Sequence, residues 1–373
     1  MTRNTDRKSS KVTIKDISAK LGVSSTTVHR ALAGKEGMTD ALRQKILQTA
    51  NDMGYEINYA ASSIKRRTVR IAVVLPTNDG CYFGNIWNGV ETCAEEARRL
   101  NVEVEMHTCD NEWHEYEILK TIADAGPEEY AGVLAFSYSR MPEVMMQLQR
   151  LIALKIKTCV IDDVMTEPEG IHCIPAYQTS VGELAGEITS LITPDQGTVI
   201  VTEGRPDSRI HVEKLDAFKR YLSQHKPNLK IVTVKGYSTT EETDALVLEN
   251  VRRVLDENDD IVLYYAQTSG DTRLALKAFQ ELSEDKKFLR IGTDLNDRTA
   301  QYLREGELTV VIDQGGYVKG NLGLRSLVDS VVKHMEPEEN VEMMIDVIFK
   351  SNLRFYERAI KLNQNGGKTN EEH

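Results

Sequence analysis

The sequence predicts a two-part molecule: an all-α helix-turn-helix head, then an α/β core of two doubly wound parallel-sheet subdomains. Three observations carry this. Residues 13–33, TIKDISAKLGVSSTTVHRALA, hold two short helical patterns broken at Leu21-Gly22-Val23-Ser24. From Val69 onward, buried-strand runs alternate with helical periodicities, which implies parallel sheets covered on both faces. Between the two regimes lies the basic run Lys65-Arg66-Arg67.

In the head, Ile14, Ile17 and Leu21 fall on one face of the first helix, and Val28, Ala31 and Leu32 on one face of the second. Gly22 permits the tight turn, and Ser24 is a good N-cap for the second helix. Ser25, Thr26, His29 and Arg30 point outward, all small or polar. An ordinary αα-hairpin uses the same turn chemistry. A helix-turn-helix adds a requirement: the second helix enters the major groove with its N-terminal side chains toward base edges. Residues 36–50 read as a third helix with Thr39 as N-cap, and Leu42, Ile46 and Leu47 close a small core. Gly54 takes the left-handed position past that helix. Residues 58–65, NYAASSIK, are helix-compatible but too poor in apolar side chains to stand alone.

Charge singles out the same segment. The 373 residues carry a formal charge of -11. Residues 1–67 hold 13 lysines and arginines against 6 aspartates and glutamates, a net of +7 that leaves −18 for the rest. A basic head on an acidic body suits phosphate contact by the head alone. The length allows two or three cores. No apolar run reaches the length of a membrane span, and MTRNTDRKSSKVT lacks the apolar core of a signal peptide, so a cytoplasmic protein without membrane contact is expected. Five cysteines without a close CxxC pair fit reduced thiols and offer no metal-ligand spacing; Cys93 and Cys159 read as packing residues. No cofactor and no metal are expected.

In the core, strands are expected at about 69–76, 102–107, 131–137, 157–162, 198–203, 231–235, 261–266, 289–293 and 308–312. Helices between them include 87–100, striped by Val90, Ala94, Ala97 and Leu100, then 142–155, 181–192, 210–224 and 240–257. Ligands in such sheets bind beyond the carboxyl ends of the strands. After Lys361 the tail is polar and expected to be disordered.

Together these residues resemble the lactose-repressor/galactose-repressor (LacI/GalR) family of bacterial transcription regulators. The likeness is strongest over residues 12–67, where TIKDISAKLGVSSTTVHRAL and GMTDALRQKILQTANDMGYEINYAASSIK follow the family headpiece and hinge. It implies a headpiece over 1–57, a hinge helix and linker over 58–68, a core over 69–361 and a tail over 362–373. The core implied is periplasmic-binding-protein-like, with an N-subdomain of about 69–175 and 314–343 and a C-subdomain of about 176–313 and 344–361. A small effector would sit between them.

The resemblance also assigns roles by position. Ser25, Thr26 and Arg30 become base readers, Arg30 foremost because a guanidinium takes guanine O6 and N7 together. His29 stands where the family usually has serine and is expected to contact DNA. Thr13, Ser24, Thr27 and Asn58 suit backbone phosphates. Ala61 and Ile64 match hinge positions that enter the minor groove, Ile64 as the apolar wedge where the family mostly has leucine. For the effector, Asn78, Tyr82, Phe83 and Trp87 follow the first core strand; Trp87 suits a core position equally well. Ser137 and Tyr138 follow AGVLAFS. Lys214 replaces the family's common arginine, a point charge instead of a planar fork. Gln267 aligns with a usual asparagine, although Thr268-Ser269-Gly270-Asp271 departs from the family run. Asp294, after RIGTD, is the strongest candidate, since a carboxylate accepts from two adjacent hydroxyls. Gln314, beside Asp313, matches a crossover position.

The function implied is a repressor-type DNA-binding regulator. It would be a homodimer on double-stranded DNA with a pseudo-palindromic operator, controlled by a sugar or sugar-like effector. No apolar heptads follow Lys361, so the family's tetramer-forming helix is not expected. An α/β enzyme with a helical accessory domain is the main alternative. It lacks support: Pro76-Thr77-Asn78-Asp79-Gly80 replaces a GxGxxG turn, Leu362 breaks a P-loop before Gly367-Lys368-Thr369, His114-Glu115 lacks a second histidine, and no GxSxG occurs. An exported solute-binding protein shares the core fold but leaves the basic head unexplained.

Overall fold

The computed structural model describes residues 12–32, 37–55, 67–78, 80–136, 141–162, 170–206, 208–235, 237, 241–281, 287–337 and 341–356. The head contains α1 (Ile14–Leu21), α2 (Ser25–Leu32) and α3 (Asp40–Asp52). Ile17, Val28, Ala31, Ile46 and Ala50 form its buried centre, with Ile14, Leu21, Leu32 and Leu42 packed around them. Each end is fixed locally. The Thr13 hydroxyl donates to Asp16 Oδ2 at 2.7 Å and its backbone N–H donates to the same oxygen at 2.8 Å, so the Asp16 carboxylate reaches back over the start of α1. Gly22 closes α1 at φ 66, where other residues are strained. Ser24 Oγ accepts from Thr27 N at 3.0 Å and starts α2. Thr39 caps α3 by accepting from Leu42 N at 3.3 Å.

The core begins with β1 (Val69–Pro76), α4 (Tyr82–Arg98), β2 (Val102–Cys109), α5 (Glu112–Ala125), β3 (Gly132–Ala135), α6 (Pro142–Ala153), β4 (Lys157–Asp162) and β5 (Ile171–Pro175). It continues with α7 (Gln178–Ile192), β6 (Gly197–Thr202), α8 (Arg209–His225), β7 (Leu229–Val234), α9 (Glu241–Asp256), β8 (Ile261–Tyr265), α10 (Ser269–Phe279), β9 (Leu289–Thr293), α11 (Asp297–Glu305) and β10 (Val310–Asp313). Last come α12 (Gly316–Val328), a π-helical turn (Asp329–Lys333) and β11 (Asp346–Ile348).

The strands form two sheets, ordered β2-β1-β3-β4-β5 and β11-β10-β9-β8-β6-β7. All neighbours are parallel except β10 and β11. The second sheet repeats the winding of the first, with β6 to β10 in the places of β1 to β5. Each sheet is sandwiched. Ile71, Val73 and Leu75 face α4 and α12, whereas Ala72 and Val74 face α5 and α6. Strand-long apolar runs such as IAVVL follow from burial on both sides.

Two strands lie outside the sequence expectation. β5 (IHCIP) is mostly half-buried and ends in proline, and β11 has three residues, so neither shows a continuous apolar run. The AGVLAFS run forms a shorter strand than expected, confined to Gly132–Ala135.

The chain passes between the sheets three times, from β5 into α7, from β10 into α12, and from the π turn into β11. Helix α12 carries the second passage into the first sheet's layer and lies against α4 at backbone distance. A Cβ on Gly320 would stand 2.0 Å from Ile86 O, and one on Gly89 would stand 2.0 Å from Tyr317 O. Only glycine permits that crossing.

Candidate functional site

Two surfaces stand out. The first is the outer face of α2. Thr13, Ser24, Ser25, Thr26, His29 and Arg30 are exposed and Thr27 is half-buried, while Val28 and Ala31 turn inward. The capping hydrogen bonds leave the α2 backbone start fixed, so the side chains at its N-terminal end project from a rigid element. Asn58, Ala61 and Ile64 lie outside the described residues.

The second surface is the cleft between the sheets, at the carboxyl ends of their strands. Its centre is a chain of buried polar groups on the second-sheet side. Lys214 Nζ donates to Gln267 O at 2.9 Å and to Gln314 Oε1 at 3.0 Å. Gln314 Nε2 in turn donates to Asp294 Oδ1 at 2.9 Å. The structure thus brings four of the residues singled out by resemblance into one network. Both polar atoms of the Gln267 side-chain amide and Ser269 Oγ are buried without a partner. Such atoms mark where a ligand or water is accommodated, since leaving them unpaired is costly. Thr268 and Asp271 serve the scaffold: Thr268 caps α10, and Asp271 accepts from Thr202 Oγ1 at 2.8 Å. Asp313 does likewise, holding the backbone N–H groups of Leu295 at 2.6 Å and Gly315 at 2.8 Å.

Across the cleft lies a second network, of which sequence reasoning found Tyr82 but missed Asp162 and Lys319. Lys319 Nζ, on the first turn of α12, donates to Asp162 Oδ1 at 2.6 Å and to Tyr82 OH at 2.9 Å. Tyr82 OH closes the triangle by donating to Asp162 Oδ2. Asp162 ends β4 and Asp294 follows β9, the corresponding strands of the two windings. Both are buried and both adopt left-handed backbone, at φ 71 and 64. Aspartate tolerates that region better than most side chains. The signal for Asp162 was present in the sequence, as an acidic residue ending the apolar run TCVID. Lys319 offered only a lysine within a small-residue helix, GYVKGNLG.

The remaining candidates separate. Phe83 packs edge-on against Phe136, with ring centroids 5.0 Å apart. Trp87 is buried in the first-sheet core and its indole N–H donates to Pro76 O at 2.8 Å, which leaves its only donor occupied. Asn78 is exposed, and its Oδ1 accepts from Gly80 N at 2.9 Å. Ser137 and Tyr138 lie outside the described residues. Among the described residues, two contacts bridge the cleft: Asn85 Nδ2 donates to Leu295 O at 2.7 Å, and Arg205 pairs with Glu112 at 2.6 Å.

Burial sets the electrostatics. It pushes the Asp294 carboxyl up to about 7, with the Asp313 charge adding to the rise, and pulls the Lys214 ammonium down to about 8. Tyr82 is held well above the usual phenol range by burial and by Asp162. Folded Asp294 binds its proton more tightly than the unfolded carboxyl, so its stabilising contribution is full below pH about 4 and disappears as pH rises through about 7. Asp294→Asn removes this titration. The variant's unfolding free energy should fall less than the parent's between pH 4 and 7; parallel curves would show that Asp294 holds no such proton.

Comparison with known proteins places both parts of the chain among known folds. Residues 13–58 match the model for bacterial regulatory proteins of the lacI family, and residues 71–333 match a periplasmic binding protein domain. Among curated relatives, DegA of Bacillus subtilis is 26% identical over 152 residues, covering 40% of this chain and 44% of DegA. Catabolite control protein A of Priestia megaterium is 22% identical over 349 residues, covering 92% of this chain and 99% of that protein. Two solved structures share the core fold. A putative LacI transcriptional regulator from Bacteroides fragilis has a TM-score of 0.67 at 18% identity, over 78% of this chain and 100% of its own. The Caulobacter myo-inositol binding protein, bound to myo-inositol, has a TM-score of 0.67 at 17% identity, over 79% and 97%.

A helix-turn-helix head with a polar outward face, set before a periplasmic-binding-protein-like core, defines a DNA-binding transcription regulator. The chain belongs to the lactose-repressor/galactose-repressor (LacI) family.

Proposed function

We propose that this chain is a cytoplasmic repressor whose operator affinity is set by a small polyhydroxylated effector held between the two sheets. The observation that carries the reading is the pair of facing networks, Lys214–Gln314–Asp294 and Lys319–Asp162–Tyr82. Each buried lysine has an aspartate within its network, so a neutral ligand exchanges hydrogen bonds there without stranding a charge. Carboxylates and ammonium groups together match alternating hydroxyl donors and acceptors. The Caulobacter protein of like fold is bound to myo-inositol, a ligand of that chemistry.

On DNA, Ser25, Thr26, His29 and Arg30 read bases, while Thr13, Ser24, Thr27 and Asn58 fix register on phosphates. One recognition helix gives too little contact for tight specific binding, so a homodimer on a pseudo-palindromic operator is the working assembly. The hinge residues Ala61 and Ile64 enter the minor groove, and the effector acts by changing the spacing of the two hinges. Arg30→Ala is expected to lower discrimination between operator and random DNA by about 1–3 kcal/mol per half-site, read by fluorescence anisotropy on inverted-repeat promoter fragments. Equal discrimination in parent and variant would remove Arg30 from the base-reading set. An effector is tested by thermal shift of the full chain against neutral sugars and polyols, since ligand binding raises the unfolding temperature by mass action.

A further inference from the structure

The two contacts that bridge the cleft differ in leverage. The three passages between the sheets leave β5 and β10 and enter β11, so they gather at one edge. They are also tied together: Tyr177 OH donates to Val341 O at 3.0 Å, and a Cβ on Gly315 would stand 3.4 Å from Met343 Cε. Glu112 opens α5 after β2, the opposite edge of the first sheet, and Arg205 follows β6, beside the far edge strand β7 of the second. At about 4.8 Å per strand, the Arg205–Glu112 pair stands roughly 15–20 Å from the passages, so about 10° of opening would part it by roughly 3 Å. Asn85 and Leu295 follow β1 and β9, nearer the passages, and part less.

Both partners of the outer contact sit on fixed backbone. Asn111 Oδ1 accepts from His114 N at 3.0 Å and caps α5, which sets Glu112 on its first turn. The Arg205 backbone N–H donates to His211 Nδ1 at 2.9 Å, tying its loop to α8. Arg205 Nη2 then donates to Glu112 Oε1 at 2.6 Å, with the two side chains 32% and 28% exposed. The lysine networks, by contrast, each keep to one side. Tyr82, Asp162 and Lys319 belong to the layers of the first sheet; Lys214, Gln267, Asp294 and Gln314 belong to the second. Opening the cleft leaves both networks intact, whereas it parts the bridging contacts.

We propose that the Arg205–Glu112 ion pair is a latch at the free margin of the cleft, which holds the two sheets closed and must part before an effector enters. The passages occupy the other edge, so entry runs past this margin. An ion pair with this leverage sets the fraction of molecules that stand open. An effector making bonds to both sides then shifts that balance toward closure. The latch extends the cleft reading above but is tested without effector, so its failure leaves that reading untouched.

Lys214 and Lys319 report the opening, because both are 2% exposed and face the cleft from opposite sides. The full chain is acetylated with N-hydroxysuccinimidyl acetate, without added sugar, and modification is read lysine by lysine by mass spectrometry. Arg205→Glu sets two carboxylates against each other and should raise the labelling rate of Lys214 and Lys319 at least about threefold. Arg205→Gln removes the charge alone and should give a smaller rise at the same two residues. The double variant Arg205→Glu/Glu112→Arg restores the attraction and should return both rates to those of the parent. Lys226, bonded to Thr193 O at 3.2 Å and to Asp195, lies away from the cleft and should label alike in every variant. Salt should speed labelling in the parent and slow it in Arg205→Glu, since screening weakens attraction and repulsion alike. Unchanged rates at Lys214 and Lys319 in both single variants would overturn the latch. So would a double variant as open as Arg205→Glu, or a rise in Arg205→Gln that Lys226 shares.

Discussion

Lys319→Ala is expected to destabilise the core by about 3–5 kcal/mol in denaturant unfolding at neutral pH. The side chains of Lys319 and Asp162 are only 2% and 1% exposed. Removing the ammonium leaves a carboxylate enclosed by β4, α4 and α12 with the Tyr82 hydroxyl as its remaining donor among the contacts described. The cost is that of a stranded charge, larger than the value of the ion pair itself. The companion variant Lys319→Met/Asp162→Asn should recover much of the loss, because neither partner is then charged. A Lys319→Ala protein within about 1 kcal/mol of the parent would show that water reaches Asp162 freely.

Gly320→Ala is expected to cost about 3 kcal/mol, and Gly89→Ala a similar amount. In each case the new Cβ meets a carbonyl oxygen of the opposing helix at 2.0 Å, and backbone has no rotamer with which to retreat. The helices α4 and α12 must separate, which opens the core around Ile86 and Leu324. Gly270→Ala provides the contrast. Its Cβ would have nothing nearer than Thr268 Oγ1 at 3.9 Å, and the change should stabilise α10 by roughly 0.5–1 kcal/mol. Thermal denaturation of the three variants separates crowding from helix propensity; equal effects would refute the close-crossing account.

Much of the fold was legible because its elements obey simple periods. Ile17, Val28 and Ile46 lie in the head core that their helical spacing predicts, and runs such as IAVVL and TVIVT read as strands because both of their faces are covered. The exceptions are short or half-exposed. β5 mixes a histidine and a proline into five residues, and β11 owes its pairing to β10 alone. The candidate site divides along similar lines. Gln267, Asp294 and Gln314 lie just past strand ends and Lys214 in the second turn of α8, where the positions of a resembling family transfer. Asp162 shares that placement at the end of β4. Lys319 could not be found that way, because its role arises from the close crossing of α12 over α4, a three-dimensional event that glycine spacing permits but does not announce. Trp87 shows the converse: an aromatic near a ligand loop whose donor is already taken by Pro76.

The matching order of the two sheets has its own consequence. Asp162 and Asp294 are twins, placed by the same step of a repeated winding, yet one answers to a tyrosine and a lysine and the other to a glutamine. The two acids thus hold equivalent places while their companions differ. A designer wishing to retune what the molecule senses can exchange the neighbours of one twin while the other preserves the architecture.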